Sequence, residues 1–359
     1  MKIAVWGDFS GVTCKEWYVV KALHRLGHEV FEIPKQHFPK RILIYGAFKN
    51  NGVQDPENWI VSSLNRMGNI VQTIEKDNLI KYHKRHILER CNQFKPDILL
   101  FIKPNNIPAD EFREICRECG SITAIWNFDW MLAEGHKEWF VPMAKAVDYV
   151  FGTDGWKDEE FYKKEKINRF LLRQGIDPVR HYAIKEITEQ DLAKYSCDVA
   201  FVGSLYTAER EYLDRFLRER YYYKLFGNRP ENQVWYEEFA KLCKCAKIIV
   251  GDNFVNDVDG YWSDRVYLTL GHGGFLLTRY VQGLEHEFKN EEHLVWWHDY
   301  NDLKNKINYW LPKEKERKEI ASKGYLEVQT KHTYDLRLKK MLEIINSGQK
   351  SFTDIITNA

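Results

Sequence analysis

The chain has 359 residues, 44% hydrophobic and 29% charged, with a formal net charge of +1. That length fits two domains, each with a full core, while near-neutrality argues against a dedicated duplex-DNA binder, which normally carries a basic excess or stripe. Seven scattered cysteines fit a reduced, cytoplasmic protein better than a disulfide framework; no run reaches the ~18 apolar residues of a membrane span, and MKIAVWGDFSG turns polar too soon for a signal peptide.

Residues 2–6 (KIAVW) read as a short apolar strand and Gly7 to Gly11 as a loop. Residues 15–26 carry apolar side chains at helical spacing, Gly27 stops that helix, and 29–33 (EVFEI) form the next strand. This is the opening of a doubly wound α/β sheet. The loop is Gly-Asp-Phe-Ser-Gly, so the GxGxxG dinucleotide fingerprint is absent. Residues 34–70 show no regular pattern, and 71–94 predict a basic, histidine-bearing helix. Strands at 96–103, 121–129, 147–154 and 169–177 then alternate with helices at 108–119, 136–146 and 156–165. Continuous apolar runs flanked by helices suit parallel strands buried on both faces.

The charged stretch 178–196 lacks a clear strand and reads as the connection between domains. A second set follows, with strands at 197–205, 222–228, 246–252, 273–278 and 292–297 and helices at 207–220, 233–243 and 262–271. Helices at about 299–310 and 314–330 precede a final amphipathic helix at 334–346. The expected architecture is α/β, two Rossmann-like domains facing across a cleft. The expected division is 1–185, 186–333, and a C-terminal helix and tail, 334–359, packing back on the first domain. Cys116 and Cys119 form the one CxxC, and Cys243-x-Cys245 has the wrong spacing to complete a zinc knuckle, so free thiols are expected.

Ligands of such sheets bind at the carboxyl ends of the strands, and the polar signals of the second half fall there. They are Gly203-Ser204, Gly227-Asn228, Asp252-Asn253, Ser263 to Arg265, and Glu285 after Gly283. Ser263 is a good N-cap that leaves helix N–H groups free to favour an anion. Arg265 adds a planar, permanently charged fork suited to phosphate. The competing reading is an exposed cap with a surface arginine. His272, set between glycines beside this expected phosphate site, reads as structural more readily than as a ligand. In the first half, Asp129 sits between two tryptophans in WNFDW, where desolvation would raise its pKa toward a useful base; an N-cap is the alternative. Asp8 follows the first strand and reads either as a site carboxylate or as a turn-stabilising residue.

FVGSLYTAEREYLDRFL, a strand ending in Gly, SDRVYLTLGHGGFLLTRYVQGLEHEF, EHLVWWHDYNDLKNKINYWL and ERKEIASKGYLEVQTKHTYDLRLKKML, in that order, resemble the C-terminal domain of CgeB-like glycosyltransferases. These are GT-B transferases related to the glycosyltransferase 1/4 group, and the resemblance covers roughly residues 197–345. SITAIWNFDWM, VDYVFGTD and RFLLRQGIDP of the first half are compatible and less specific. The family reads close to S-x-R-x-FEALACGGFLLT…GLE, which Arg265, Gly273 and Gly274 match, and Gly175 in RQGID resembles its hinge-side NGVD.

The resemblance implies a metal-independent transfer from a nucleoside diphosphate sugar to an acceptor hydroxyl, with no other cofactor. Donor contacts would come from Gly203, Ser204, Arg210, Gly227, Asn228, Asn253, Ser263, Arg265, His272 and Glu285. Catalytic or sugar contacts would come from Asp129, Asn127 and Asp8, Asn127 standing loosely where relatives carry a histidine. The chain departs from the family twice. Leu268 stands where many relatives place a ribose-holding glutamate. Ser204 stands where an arginine binds diphosphate, with Arg210 in place of the accompanying lysine. These departures leave the donor nucleotide open.

Three other readings stand beside this one. Asp257-Val258-Asp259 is a DxD, the motif of metal-dependent GT-A enzymes. The missing donor residues fit a non-catalytic nucleotide- or sugar-binding module. The acceptor could be a glycan, a protein, a lipid-linked sugar or a modified DNA base, which the basic run Lys81 to Arg90 could serve, although such runs are more often solvated helix faces. The chain is expected to be a monomer or homodimer.

Overall fold

The computed structural model describes residues 1–7, 15–34 and 84–349, apart from positions 86, 90, 94, 103, 105, 106, 134, 154, 156, 157, 179 and 235. Within them lie two wholly parallel sheets. The first has the order β2-β1-β3-β4-β5-β6, from β1 (Lys2–Gly7), β2 (Glu29–Pro34), β3 (Ile98–Ile102), β4 (Ile122–Asn127), β5 (Tyr149–Gly152) and β6 (Arg169–Leu171). The second has the order β11-β10-β9-β7-β8, from β7 (Cys197–Val202), β8 (Tyr223–Phe226), β9 (Ala246–Gly251), β10 (Leu276–Arg279) and β11 (Val295–Trp297).

The central strands are mostly apolar because they bury both faces. On β4, Ala124 and Trp126 join one core and Ile125 the opposite one. On β9, Ile249 faces one way while Ile248 and Val250 face the other. Parallel neighbours require crossovers, supplied by α1 (Lys15–Arg25), α2 (Ala109–Glu118), α3 (Lys137–Ala144) and α4 (Glu159–Lys164) in the first sheet; α5 (Glu189–Tyr195) lies between the sheets in chain order, and α6 (Ala208–Arg218), α7 (Glu237–Cys245) and α8 (Arg265–Gly271) serve the second. Helices α9 (Tyr300–Trp310), α10 (Glu314–Lys331) and α11 (Tyr334–Ser347) close the described chain.

Chain order reverses at β7, which has β8 on one side and β9 on the other. A crevice opens at the carboxyl ends of strands flanking such a switch point. The chain passes between the two sheets twice, side by side. Ile176 N donates to His332 O at 2.8 Å, and Tyr334 N donates to Ile176 O at 2.9 Å. Beyond this crossing, α11 joins the core of the first sheet. Tyr334 stacks on Tyr18 with centroids 5.9 Å apart, and Leu338, Met341 and Ile345 share a cluster with Val19 and Leu23.

Several boundaries differ from expectation. β6 stops at Leu171, not at 177, because the chain leaves the sheet there to cross. β11 is three residues, and the stretch read as a plain connection contains α5. The predicted helix at 71–94 lies largely outside the described residues; 84–93 are helical where described. The six described cysteines are free thiols. Among the described residues, no helix is long and apolar enough to cross a membrane.

Candidate functional site

The carboxyl ends of the two sheets meet at the β9–α8 connection, residues 252–264. After β5, the Gly155 backbone lies so close to the Asp259 carbonyl that no Cβ fits. After β6, Arg173 donates to the Gly260 carbonyl, and its guanidinium lies 3.7 Å over the Trp262 ring. The Arg173 Nε stands 2.7 Å from Glu287 Oε1. The connection that carries Asp252 at one end and runs into Arg265 at the other therefore lies between the sheets.

At its start, two arginines converge on one carbonyl. Arg265 Nη1 donates to Asp252 O at 2.9 Å, and Arg210 Nη2 donates to the same oxygen at 3.0 Å. Arg210 Nη1 also donates to Ser204 O at 3.3 Å. Arg210 belongs to the first turn of α6, whose Thr207 side chain caps its N–H at 3.2 Å. Gly203 has φ +154°, and a Cβ there would stand 2.9 Å from Arg265 Nη2; the missing side chain is what lets the guanidinium lie on the backbone. Gly227 abuts Gly203, and Asn228 Oδ1 accepts from Leu205 N at 3.0 Å, tying the loops after β7 and β8 together. Asn253 is buried and its Oδ1 accepts from Ser263 N at 2.9 Å, closing the connection on itself.

Burial lowers the Arg265 pKa to about 10, and the neighbouring Arg210 adds to the shift; the group still carries its charge at neutral pH. Burial also lowers Arg210, opposed by Asp252, and raises the Asp252 carboxyl, opposed by Arg210 and Arg279. Arg279, at the end of β10, pairs with Glu209 and lies 3.7 Å from Asp252 Oδ1. The sequence reading did not single out Arg279, although its place as the last residue of a strand is the available signal.

Ser263, His272 and Glu285 are placed as follows. Helix α8 begins at Arg265, and Asp264, not Ser263, is the residue before it. Ser263 instead takes up the first amides, its Oγ accepting from Arg265 N at 3.3 Å and its carbonyl from Val266 N at 3.2 Å. Positive character here comes from guanidiniums, not from free helix amides. His272 lies at the other end of α8, seven residues or about 10 Å away. It contacts the Tyr182 carbonyl through Nδ1 at 3.1 Å and the His181 ring at 5.2 Å, and burial lowers its pKa to about 4. Glu285 is exposed and turns back on its own loop, accepting from Gly283 N at 2.8 Å and Tyr280 Oη at 3.1 Å. Leu268 packs on the core of the second sheet.

On the opposite wall, Asn127 ends β4 beside Gly152 of β5. It is fully buried, and neither side-chain amide atom has a hydrogen-bond partner. Asp129 is half-buried two residues on. Asp8 lies outside the described residues, as do five of the ten positions from Lys81 to Arg90. Of that run, Lys84 pairs with Glu114 and Glu118, and Arg85 with Glu89, so these cations are engaged within their own domain. In the DxD, Asp257 is exposed and Asp259 half-buried. Among the described residues, no group of three side chains is placed to hold a metal ion.

Residues 180–343 match the model of a family described as glycosyl transferase-like. Two facing parallel sheets, with this domain as the second, define the GT-B fold of glycosyltransferases, which sets aside the GT-A reading of the DxD. No curated protein matches the chain in sequence. Among solved structures, HepE of Anabaena in complex with UDP and glucose superposes with a TM-score of 0.59 at 10% identity, over 97% of this chain and 100% of that one. A glycosyltransferase of Rickettsia africae gives 0.59 at 14% identity over 97% and 98%. Sucrose-phosphate synthase of Thermosynechococcus elongatus gives 0.60 at 12% identity over 97% and 100%.

Proposed function

We propose that the chain is a glycosyltransferase that moves a sugar from a nucleoside diphosphate sugar to an acceptor hydroxyl, in the manner of CgeB-like enzymes. The observation that carries this reading is the convergence of Arg210 and Arg265 on the Asp252 carbonyl, at the switch point of the second sheet. As the bond between sugar and diphosphate breaks, negative charge builds on the leaving phosphate. Guanidiniums already fixed in place stabilise that charge without reorganising. They supply the positive charge that a divalent ion supplies elsewhere, so the reaction needs no metal. Asn127, with an unpartnered amide donor and acceptor, suits a sugar hydroxyl. Asp129, two residues on, takes the acceptor proton or anchors a hydroxyl. The Gly155 backbone meets the Asp259 carbonyl between the two sheets, and closure of the sheets on the bound donor would exclude water that hydrolyses it.

HepE was solved with UDP and with UDP-glucose, so uridine nucleotides lead the panel to be tested. A thermal-shift screen of nucleoside diphosphates and their sugars should find one that raises Tm; a ligand at a hundred times its Kd adds about 2.7 kcal/mol. Arg265→Ala should abolish that rise and sugar transfer while leaving the unliganded Tm within a few degrees. Transfer by that variant at the native rate would refute the role given to Arg265, and binding without transfer or hydrolysis would return the chain to a non-catalytic module. Loss of activity in excess EDTA would refute the metal-free route.

A further inference from the structure

Asp252 contacts the two arginines of the donor site in two chemically separate ways. Its backbone carbonyl accepts from Arg265 Nη1 and Arg210 Nη2 at 2.9 and 3.0 Å. Its carboxylate does something else. It is 2% exposed and accepts no hydrogen bond, yet it lies 3.6 Å from Arg210 Nε and 3.7 Å from Arg279 Nη1. A buried carboxylate without hydrogen bonds is costly and persists through the charges around it. Arg279 is held independently by Glu209. Orientation of the guanidiniums thus rests on the Asp252 carbonyl and on Glu209, which leaves the carboxylate of Asp252 with a purely electrostatic part.

We infer that the Asp252 carboxylate is a built-in counter-charge that competes with a bound diphosphate for Arg210 and Arg279 and so sets how tightly the nucleotide product is held; this rests on the donor-site reading above. The cluster sets the guanidiniums of Arg210, Arg265 and Arg279 against the carboxylates of Asp252 and Glu209, with Asp264 acting on Arg265 as well. A donor sugar nucleotide carries two negative charges on its diphosphate. The nucleoside diphosphate left after transfer carries close to three. The fixed acidic groups therefore weigh more heavily on product than on donor, which favours release after transfer. Arg279 becomes a third cation of the same site, and Asp252 a positioning and affinity-setting residue outside the reacting atoms.

The test is Asp252→Asn, which keeps the carbonyl and the shape and removes only the charge. Calorimetric titration of native and variant protein with UDP, GDP, ADP and their glucose conjugates at several salt concentrations gives the readout. The variant should bind the nucleoside diphosphate roughly tenfold tighter at low salt, with the gain shrinking as salt rises. Its gain for the sugar nucleotide should be smaller. Arg265→Ala, measured in parallel, should weaken both. Equal affinities in the native protein and the Asp252→Asn variant, or an equal gain for donor and product, would overturn the inference while an Arg265 dependence left the donor site standing. Absence of binding by every nucleotide to native protein would overturn both together. Asp252→Glu, which restores charge, should return affinity toward the native value; failure to do so would assign the effect to packing.

Discussion

At the scale of single residues, buried charge is where this protein is most open to test. Glu111 on α2 is 2% exposed, and burial pushes its carboxyl up to about 7 against the opposing hydrogen bond from Lys84 N–H. The folded protein therefore keeps a proton that the unfolded chain has already released. That contribution to stability is full below pH ~4.5 and is lost as pH rises through about 7. Glu111→Gln removes the loss, so the variant should gain on the native protein between pH 5 and pH 8, by about 3 kcal/mol at most. Urea melts at the two values check this; a difference independent of pH would show that the carboxyl is not held in its protonated form. Arg265 was legible as a residue because Ser263-Asp264-Arg265 opens an apolar helical stretch that ends in glycines. Its partner was not, since a backbone carbonyl such as that of Asp252 carries no mark in sequence.

At the scale of elements, the strands of both sheets could be read in order, because continuous apolar runs between helices leave few alternatives. Ends were harder. Helix α5 was passed over within a charged stretch, yet Thr188 and Asp191 form a reciprocal capping box, the Thr188 side chain accepting from Asp191 N at 3.1 Å and Asp191 from Thr188 N at 3.1 Å. That spacing is a signal visible in sequence. Thr188→Ala should cost about 1 kcal/mol, read as a lower urea midpoint with an unchanged slope; an unaltered midpoint would mean that α5 is held by packing alone. The start of α8 was ambiguous for a different reason. Ser263 and Asp264 are both good caps by type; Asp264 directly precedes the helix but makes no side-chain cap bond, while Ser263 Oγ accepts from Arg265 N.

At the scale of the whole molecule, the two sheets are joined by a cluster around Glu287. Burial alone would raise its carboxyl, but Arg173, with His332 and Arg337 beside it, holds it well below the ordinary carboxylate range. Tyr267 Oη donates to it at 2.7 Å, and Arg173 bonds to it from the first domain at 2.7 Å. Glu287→Gln leaves two guanidiniums facing each other without their counter-charge, and breaking such a pair costs about 3 kcal/mol or more. A lower Tm together with a larger radius of gyration in solution scattering is the expected outcome; a lower Tm with unchanged dimensions would make the cluster a local brace and not an interdomain one. By itself the sequence determined two parallel α/β units, the strand ends at which polar residues gather, and a helix at the C-terminus, because periodicity and strand-end polarity are local and repeat along the chain. The return of the last helix to the first core was expected from the sequence; only the tertiary structure decided that His272 lies at the far end of α8 from Arg265, that Arg279 stands beside Asp252, and that Arg173 and Glu287 meet. Those facts depend on which loops a crossover brings together, and that distance is set by packing across the cleft, not by separation along the chain.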